Sequence, residues 1–215
     1  MRKNMYKKYE AQVLSDHYKF SKYLTPERWA SIWHQINEIT KIEPNTVLEI
    51  GPGNGLLKTL LNMDRINVTT LDYVEDTHPD IIASATNIPL SDNSFDVCCA
   101  FQMLEHVKYQ DSLIALKEMI RVSRKKIIIS LPDAEIVYPL QAKLPRGLKL
   151  NLQIKKIFQK RKEHKFDGQH YWEINKKEYP LKKIENDISE IAIIKKSYRA
   201  PLNPYHHFFV LEKRT

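Results

Sequence analysis

The sequence has few of the features that mark secreted or membrane-spanning chains. Only two of its 215 residues are cysteines, Cys98 and Cys99, and they are adjacent within an apolar stretch. That placement is typical of reduced core residues rather than of a disulfide or a metal pair. No apolar run is long enough to span a bilayer, and the first residues lack the apolar core of a signal peptide. We expect a cytoplasmic protein that forms a single domain over residues 1–215.

Acidic residues are scarce in one segment, residues 141–165. It holds nine basic residues and one acidic residue, so its excess equals the net charge of the whole chain, +8. The spacing of its apolar residues predicts a basic amphipathic helix. These residues are Leu150, Ile154, Ile157 and Phe158. Such a helix suits an anionic membrane surface or an anionic acceptor, and it is also typical of an ordinary surface helix. RNA is the second choice, because no recognisable RNA-binding module accompanies the charge.

Glycine is also scarce, and three of the five glycines lie in residues 47–55. This stretch reads as a buried strand that ends in a glycine turn, and the leucines after it have helical spacing. Glycines let the backbone turn sharply and let a ligand approach closely, while the start of the helix offers unpaired N–H groups. The dinucleotide-binding pattern needs a glycine where Leu56 stands, which argues against a nicotinamide-dependent oxidoreductase.

A second predicted strand, residues 68–73, carries Asp72 near its end, 21 residues after Gly51. In nucleotide-binding α/β folds the ribose-binding acid lies about 20 residues past the glycines. A carboxylate at the tip of the neighbouring strand can accept hydrogen bonds from both ribose hydroxyls. The alternative is an ordinary aspartate in a turn at the end of a strand.

Three further motifs follow the glycine stretch in order: Ile88-Pro89-Leu90, Ser94-Phe95-Asp96 and Leu104-Glu105-His106-Val107. Together with the acid-x-Gly-x-Gly-x-Gly string they resemble, over residues 44–132, the type 11 family of class I S-adenosylmethionine (SAM)-dependent methyltransferases. The resemblance implies an α/β, Rossmann-like fold with a seven-stranded, mostly parallel sheet. It also implies helices on both faces of the sheet, an antiparallel hairpin at the C-terminus, and SAM as the cofactor.

The resemblance also implies a cofactor site. Glu49 would hold the methionine end, and the glycines would shape the loop around the cofactor. Ser84 replaces the family's adenine-contacting acid, so neighbouring backbone groups would contribute more of that contact. The implied cofactor-binding residues are Glu49, Gly51, Gly53, Gly55, Asp72, Tyr73, Ser84, Ala85, Thr86, Phe101 and Gln102.

Histidines are the candidates for a catalytic base. His106 lies in the family motif, and His170 lies in the loop that commonly forms the substrate wall. The alternatives are that Glu105 and His106 cap the following helix and that the loop around His170 is only structural. His206 and His207 are third, with a surface or strand-edge role expected. Similar quinone methyltransferases bind a metal through Glu-x-x-Glu-His, but Gln102 replaces the first acid, so we expect no metal.

The remaining pattern divides the chain into a methyltransferase core with two additions. Residues 1–43 are predicted as a helical cap, in which Thr25 and Pro26 begin a helix. An upstream stretch with Tyr6, Tyr9, His17 and Tyr18 could fold over the active site as a lid. Residues 133–187 are predicted as an insertion on the substrate side.

The remaining elements and the function follow from the same patterns. One apolar helix face is expected from Trp29, Ile32, Trp33, Ile36 and Ile39. Strands are expected at 46–50, 95–101, 125–132, 191–194 and 207–211, and a helix at 110–122. We expect methyl transfer to an O or N nucleophile of a small-molecule or glycan-type acceptor. The alternatives are an RNA methyltransferase and a non-catalytic SAM-binding protein.

Overall fold

The computed structural model describes residues 20–143 and 145–214. Its helices are α1 Phe20–Tyr23, α2 Pro26–Thr40, α3 Leu56–Met63, α4 Tyr109–Val122 and α5 Leu181–Ile191. Its strands are β1 Thr46–Ile50, β2 Asn67–Asp72, β3 Ile81–Ile82, β4 Phe95–Phe101, β5 Ser123–Pro132, β6 Val137–Lys143, β7 Lys149–Lys155, β8 Ala192–Ala200 and β9 Asn203–Lys213. Within the described ranges, three short 3₁₀ turns lie at Glu75–Thr77, Leu104–His106 and Pro145–Gly147.

Seven of these strands form one sheet in the order β3-β2-β1-β4-β5-β9-β8. The first five run parallel, while β9 is antiparallel to both β5 and β8. The order reverses at β1, where β2 lies on one side and β4 on the other. This is the expected Rossmann-like sheet with a C-terminal antiparallel hairpin, and a ligand site is expected at the carboxyl edge next to the reversal.

The apolar core lies on both faces of this sheet. Alternate residues of β4 point to opposite faces: Cys98 joins a buried cluster with residues of α4 and α5, and Cys99 joins a second cluster with residues of α2 and α3. Both cysteines are free and buried, as predicted. Helices therefore cover both faces and fix the strand ends in place.

Helix α2 begins as predicted, because the Thr25 hydroxyl accepts a hydrogen bond from the Arg28 amide at 3.2 Å. The predicted single apolar face is partly wrong. Ile32 and Ile39 are buried, but Trp29 and Trp33 are 44% and 59% exposed among the described residues. The aromatic pair therefore does not contribute to the core contact of the helix. The lid predicted for Tyr6, Tyr9, His17 and Tyr18 lies outside the described residues.

The predicted helix within residues 141–165 is wrong. Strands β6 and β7 pair there as an antiparallel hairpin, separate from the main sheet. The physical reason is a period of two, since Leu148, Leu150, Leu152 and Ile154 alternate with polar residues. A turn at Pro145–Gly147, in which Arg146 and Gly147 have φ of 64° and 76°, lets the chain reverse. None of the described helices combines the length and the apolarity needed to cross a bilayer.

Two smaller expectations also need correction. His206 and His207 do not precede the last strand; they lie inside β9, are each 2% exposed, and pair with β5 residues. Strands β8 and β9 are longer than predicted, so the linker between them shrinks to residues 201–202. The helix predicted at 110–122 and the strand at 125–132 are confirmed as α4 and β5, within two residues.

Candidate active site

The predicted cofactor residues lie at one edge of the sheet. Parallel pairing aligns Ile50 of β1 with Leu71 of β2 and Ala100 of β4, so the carboxyl ends of the three strands lie side by side. Asp72 is the last residue of β2 and Phe101 the last of β4. Residues from distant parts of the sequence therefore lie together at one edge of the sheet.

The glycine turn connects β1 to α3 at this edge. Gly51, Gly53 and Gly55 have φ of +71°, +55° and +69°, a backbone region that favours glycine. A Cβ on Gly51 would lie 2.5 Å from Cγ of Met103, so this position also needs glycine for space. A Cβ on Gly55 would have no heavy atom within 4 Å. The backbone at Gly51 is therefore packed against Met103, whereas the backbone at Gly55, at the start of α3, borders open space.

Glu49 lies at the base of this turn, and its side chain fits a cationic ligand group. The residue is 5% exposed, and Oε2 has no hydrogen-bond partner among the described residues. Burial raises the pKa of the carboxyl group to about 8, although the charge of Lys58 opposes the shift. A buried carboxyl group without a partner is costly. The ammonium group of a SAM methionine moiety would provide the missing partner.

Asp72 and Tyr73 follow at the end of β2. The Asp72 carboxylate accepts hydrogen bonds from the Val74 amide at 3.1 Å and the Thr77 hydroxyl at 3.4 Å. Burial is the main cause that raises the pKa of Asp72, and burial also raises the pKa of Tyr73 to about 12. Because a carboxylate can accept about four hydrogen bonds, Asp72 keeps capacity for the hydroxyls of a ribose.

The other predicted contacts lie after β3 and β4. The hydroxyls of Ser84 and Thr86 are 2.8 Å apart, and the Thr86 amide donates to the Ser84 hydroxyl at 3.2 Å, so a small turn encloses Ala85. Gln102 has a φ of +52°, and its amide donates to the Ser130 carbonyl at 3.0 Å. Phe101 packs against Phe208, with ring centroids 6.1 Å apart. The end of β4 is therefore anchored to Ser130 of β5 and Phe208 of β9.

His106 and His170 meet beside the glycine turn. Met103, which packs against Gly51, leads directly into the 3₁₀ turn that carries Glu105 and His106. The two histidine rings lie 5.1 Å apart, and the His106 Nδ1–H donates to the Gln169 carbonyl at 3.1 Å. The structure therefore brings together the two predicted base candidates, His106 and His170, which lie 64 residues apart in the sequence.

Glu105 does not cap α4. It is fully buried, and neither carboxyl oxygen has a hydrogen-bond partner among the described residues. The residue before α4, Lys108, gives no side-chain cap either, so the capping interpretation is wrong. Burial raises the pKa of Glu105 to about 8, opposed by the nearby charge of His170. Glu105 therefore faces the histidine pair as an unpaired acid.

Glu173 was not predicted, yet it orients His170. The His170 Nδ1 lies 2.9 Å from Glu173 Oε1, and the carboxylate also accepts from the Tyr205 hydroxyl at 2.9 Å and pairs with Lys176 at 3.1 Å. Burial alone would raise the pKa of Glu173, but these partners lower it to about 2. Burial alone would lower the pKa of His170, but the Glu173 hydrogen bond and the charges of nearby acids raise it.

Two sets of donor atoms in this cluster could also share a cation. One set is Glu105, His106 and His170, and the other is Asp167, His170 and Glu173. In each set one donor atom from every residue lies within 4.8 Å of the others. The expectation that no metal binds therefore stays a prediction, and an experiment must separate it from the base role of His170.

Residues near the N-terminus of the described chain reach the same region. Arg28 stacks over the Tyr23 ring at 4.3 Å. Burial raises the pKa of Tyr23, opposed by the charge of Arg28, and the charges of Glu49 and Glu105 raise it further. Tyr23 therefore lies within electrostatic reach of both Glu49 and Glu105.

A second buried network anchors the segment after β5, which carries His170. Asp133 follows β5 and is 1% exposed; it pairs with Arg199 at 2.7 Å and His207 at 3.1 Å, and accepts from the Asn175 amide at 2.9 Å. His206 is buried, and burial lowers its pKa to about 3. His207 therefore has a structural partner, and neither histidine has the strand-edge role expected from the sequence.

Comparison with known proteins gives one family match. Residues 48–129 match the model of a family described as a methyltransferase domain. This range includes the glycine turn, Asp72, Ser84 and Glu105-His106. No curated protein matches the chain by sequence.

Several solved structures share the fold at low sequence identity. A 1,6-didemethyltoxoflavin-N1-methyltransferase from Burkholderia thailandensis, with its substrate and S-adenosylhomocysteine bound, has a TM-score of 0.62 at 14% identity and covers 93% of this chain and 83% of its own. The N-methyltransferase NodS from Bradyrhizobium japonicum, with S-adenosylhomocysteine, has 0.60 at 8% identity and covers 95% of each chain. The glycopeptide N-methyltransferase MtfA, also with S-adenosylhomocysteine, has 0.57 at 10% identity and covers 86% of this chain and 89% of its own.

Proposed function

We propose that this chain is a class I SAM-dependent methyltransferase that methylates a nitrogen or oxygen nucleophile of a small-molecule or glycan-type acceptor, with His170 as the base. The single observation that carries the catalytic part is the 2.9 Å hydrogen bond between His170 Nδ1 and Glu173. The acceptor class is supported by two of the structural neighbours above, a 1,6-didemethyltoxoflavin-N1-methyltransferase and a glycopeptide N-methyltransferase.

Geometry and charge favour His170 over His106 as the base. Glu173 is ionised at neutral pH and can only accept, so Nδ1 of His170 carries the proton and Nε2 of the neutral ring carries the lone pair. The carboxylate also stabilises the imidazolium that forms when Nε2 takes a proton. His106 instead donates to a backbone carbonyl, which carries no full charge. His106 is the second candidate.

The reaction needs little covalent chemistry from the protein. Bound SAM supplies a methyl group already activated on a sulfonium, so the chain mainly aligns the nucleophile and accepts its proton. Glu49 would hold the ammonium end, Asp72 the ribose hydroxyls, and the turn at Ser84 the adenine. His170 would take the proton of the acceptor amine or hydroxyl on Nε2. Tyr171, stacked on Phe166 at 4.5 Å, would flank an acceptor beside it.

The first test identifies the acceptor. Pools of small metabolites and oligosaccharides are incubated with the protein and SAM, and S-adenosylhomocysteine formation is measured. We expect turnover with at least one amine- or hydroxyl-bearing compound and none with RNA alone. Turnover only with RNA would favour the RNA methyltransferase alternative, and SAM binding without turnover in any pool would favour the non-catalytic one.

The second test uses that acceptor to examine the base. His170→Asn should lower kcat by about 10²–10⁴-fold, the usual contribution of a general base, with unchanged SAM affinity. Glu173→Gln should move the acidic limb of the kcat profile to lower pH, because it removes a partner that raises the pKa of His170. Glu163→Gln, an exposed carboxylate change in the same segment, serves as the matched control.

Two outcomes would contradict the base assignment. Full turnover in His170→Asn together with loss in His106→Gln would transfer the role to His106. Loss of activity in the presence of a chelator, with recovery on adding a divalent cation, would indicate that these residues are metal ligands.

Cytoplasmic localisation stays a prediction.

A further inference from the structure

The β6–β7 hairpin presents an apolar face to solvent. In its register Tyr138 pairs with Ile154, and Leu140 pairs with Leu152. Alternate residues of a strand share a face, so these side chains lie together, with Leu150 beside them. Among the described residues they are 37–55% exposed. Leu148, in the turn, continues the alternation and is 62% exposed. Large apolar side chains grouped in this way mark an interaction site.

The opposite face of the hairpin attaches it to the rest of the protein. The Gln153 side-chain amide donates to the carbonyls of Arg199 and Ala200, both at 3.3 Å, and Lys155 pairs with Glu135 at 3.1 Å. Val137, at the base of the hairpin, is buried. These contacts use the face that carries the polar residues. The apolar face therefore points away from the main sheet.

Basic side chains lie at the turn of the hairpin, along the chain just past it and, at Lys143 and Lys155, on the face opposite the apolar one. The exposed members in the described chain are Lys143, Arg146, Lys155, Lys156, Lys160, Arg161, Lys162 and Lys165. Among them, within the described residues, only Lys155 takes part in an ion pair. The one acidic residue of the segment, Glu163, is already paired with Lys177 at 2.7 Å. Just past the hairpin, Ile157 and Phe158 are 75% and 97% exposed.

We propose that this hairpin, with residues 156–158, docks the protein on an anionic lipid surface. A bilayer with anionic headgroups can bind both kinds of side chain. Its phosphates would pair with the lysines, and its acyl chains would cover the apolar side chains. RNA would complement the lysines but would leave the apolar face in water. The proposal rests on the hairpin alone and does not depend on which acceptor is methylated.

The position of the hairpin would bring the proposed SAM site close to a membrane on which the hairpin docks. The hairpin follows Asp133, at the carboxyl end of β5, and so lies at the same sheet edge as Glu49 and Asp72. Docking through its apolar face would bring this edge close to the membrane. An acceptor held in the headgroup layer could then reach the cleft by lateral diffusion.

The test is co-sedimentation of the full chain with vesicles of phosphatidylcholine, with or without phosphatidylglycerol. We expect binding to the anionic vesicles and none to the neutral ones. Leu140→Asn/Leu152→Asn removes an exposed cross-strand apolar pair and should lower the bound fraction at least fivefold. Lys156→Glu/Lys160→Glu/Lys162→Glu should do the same. The controls are Ile114→Asn and Lys117→Glu/Lys182→Glu, exposed positions outside the segment.

Each other result would overturn the proposal. Circular dichroism and Tm first establish that the variants fold. Absence of vesicle binding, or equal binding to neutral vesicles, would contradict it. RNA binding that falls steeply with salt and survives the Leu140/Leu152 double variant would assign the charge to nucleic acid. A concentration-dependent dimer that this variant abolishes would assign the apolar face to a second copy of the chain.

Discussion

At the residue scale, Glu49 is where stability and binding conflict. Its carboxyl group is buried with one oxygen unpartnered among the described residues, and its pKa is raised to about 8. A protein selected only for stability would place an apolar or neutral side chain at this position. A buried acid at this position is explained if a cationic group of a ligand pairs with its carboxylate. We therefore expect the Glu49 carboxylate to strengthen SAM binding and to lower the free energy of unfolding of the ligand-free protein.

Replacing Glu49 by glutamine separates these two effects. The pKa is 4.5 in the unfolded chain and about 8 in the folded one, so the stability from the neutral form is complete below pH 4.5 and is lost as pH rises through 8. Glu49→Gln should therefore raise the free energy of unfolding at pH 9 by about 1–3 kcal/mol, with little effect at pH 4. Denaturant unfolding at both pH values measures this.

The same variant should bind SAM more weakly, because the amide cannot neutralise an ammonium group. Glu190→Gln, an exposed acid on α5, is the matched control and should change neither quantity. A Glu49→Gln protein that binds SAM as well as the parent would show that the buried acid does not contact the cofactor.

At the element scale, the glycine turn contains two positions with different constraints. Gly51 is packed against Met103, whereas Gly55 borders open space at the start of α3. Both have positive φ, so alanine would be strained by about 1–2 kcal/mol at either one. Of the two, only Gly51 adds a clash to that strain. At Gly55 the methyl group would enter open space, where we expect the cofactor to bind.

Two alanine variants test this difference. Gly51→Ala should lose more stability than Gly55→Ala, and the added Met103→Ala change should recover part of the loss by removing the 2.5 Å contact. Gly55→Ala should lose less stability but more SAM affinity. Thermal unfolding and calorimetric titration measure the two quantities. Equal losses of stability in the two variants would show that the Met103 side chain can move away from the added methyl group without a measurable loss of free energy.

Elements with one clear periodicity could be predicted from the sequence, and the hairpin could not. Strand β4 and helix α4 have unambiguous patterns and match within one residue. In residues 148–154 the apolar residues fit a period of two and also the i, i+4 spacing of Leu150 and Ile154. Local pattern alone does not decide between these. The segment forms a strand because the Pro145–Gly147 turn lets it pair with β6.

At the scale of the whole molecule, motif spacing predicted which strand ends meet but not which side chains pair across long loops. The sheet order and the placement of Glu49, Asp72 and Phe101 at one edge follow from alternating strands and helices. The contacts of Glu173 with Tyr205 and of Asp133 with Arg199 join segments 32 and 66 residues apart. No local pattern signals such pairs, so the residue that orients His170 was missed.

The central claim is that the crevice at the carboxyl ends of β1 and β2 binds SAM, and calorimetric titration of the whole chain tests it most directly. We predict that SAM binds, that NADH does not, and that Asp72→Ala weakens SAM binding by about 1.5–3 kcal/mol, the value of a hydrogen bond to a charged group. Thermal unfolding shows that the variant is folded. Unchanged SAM affinity in folded Asp72→Ala would contradict the account.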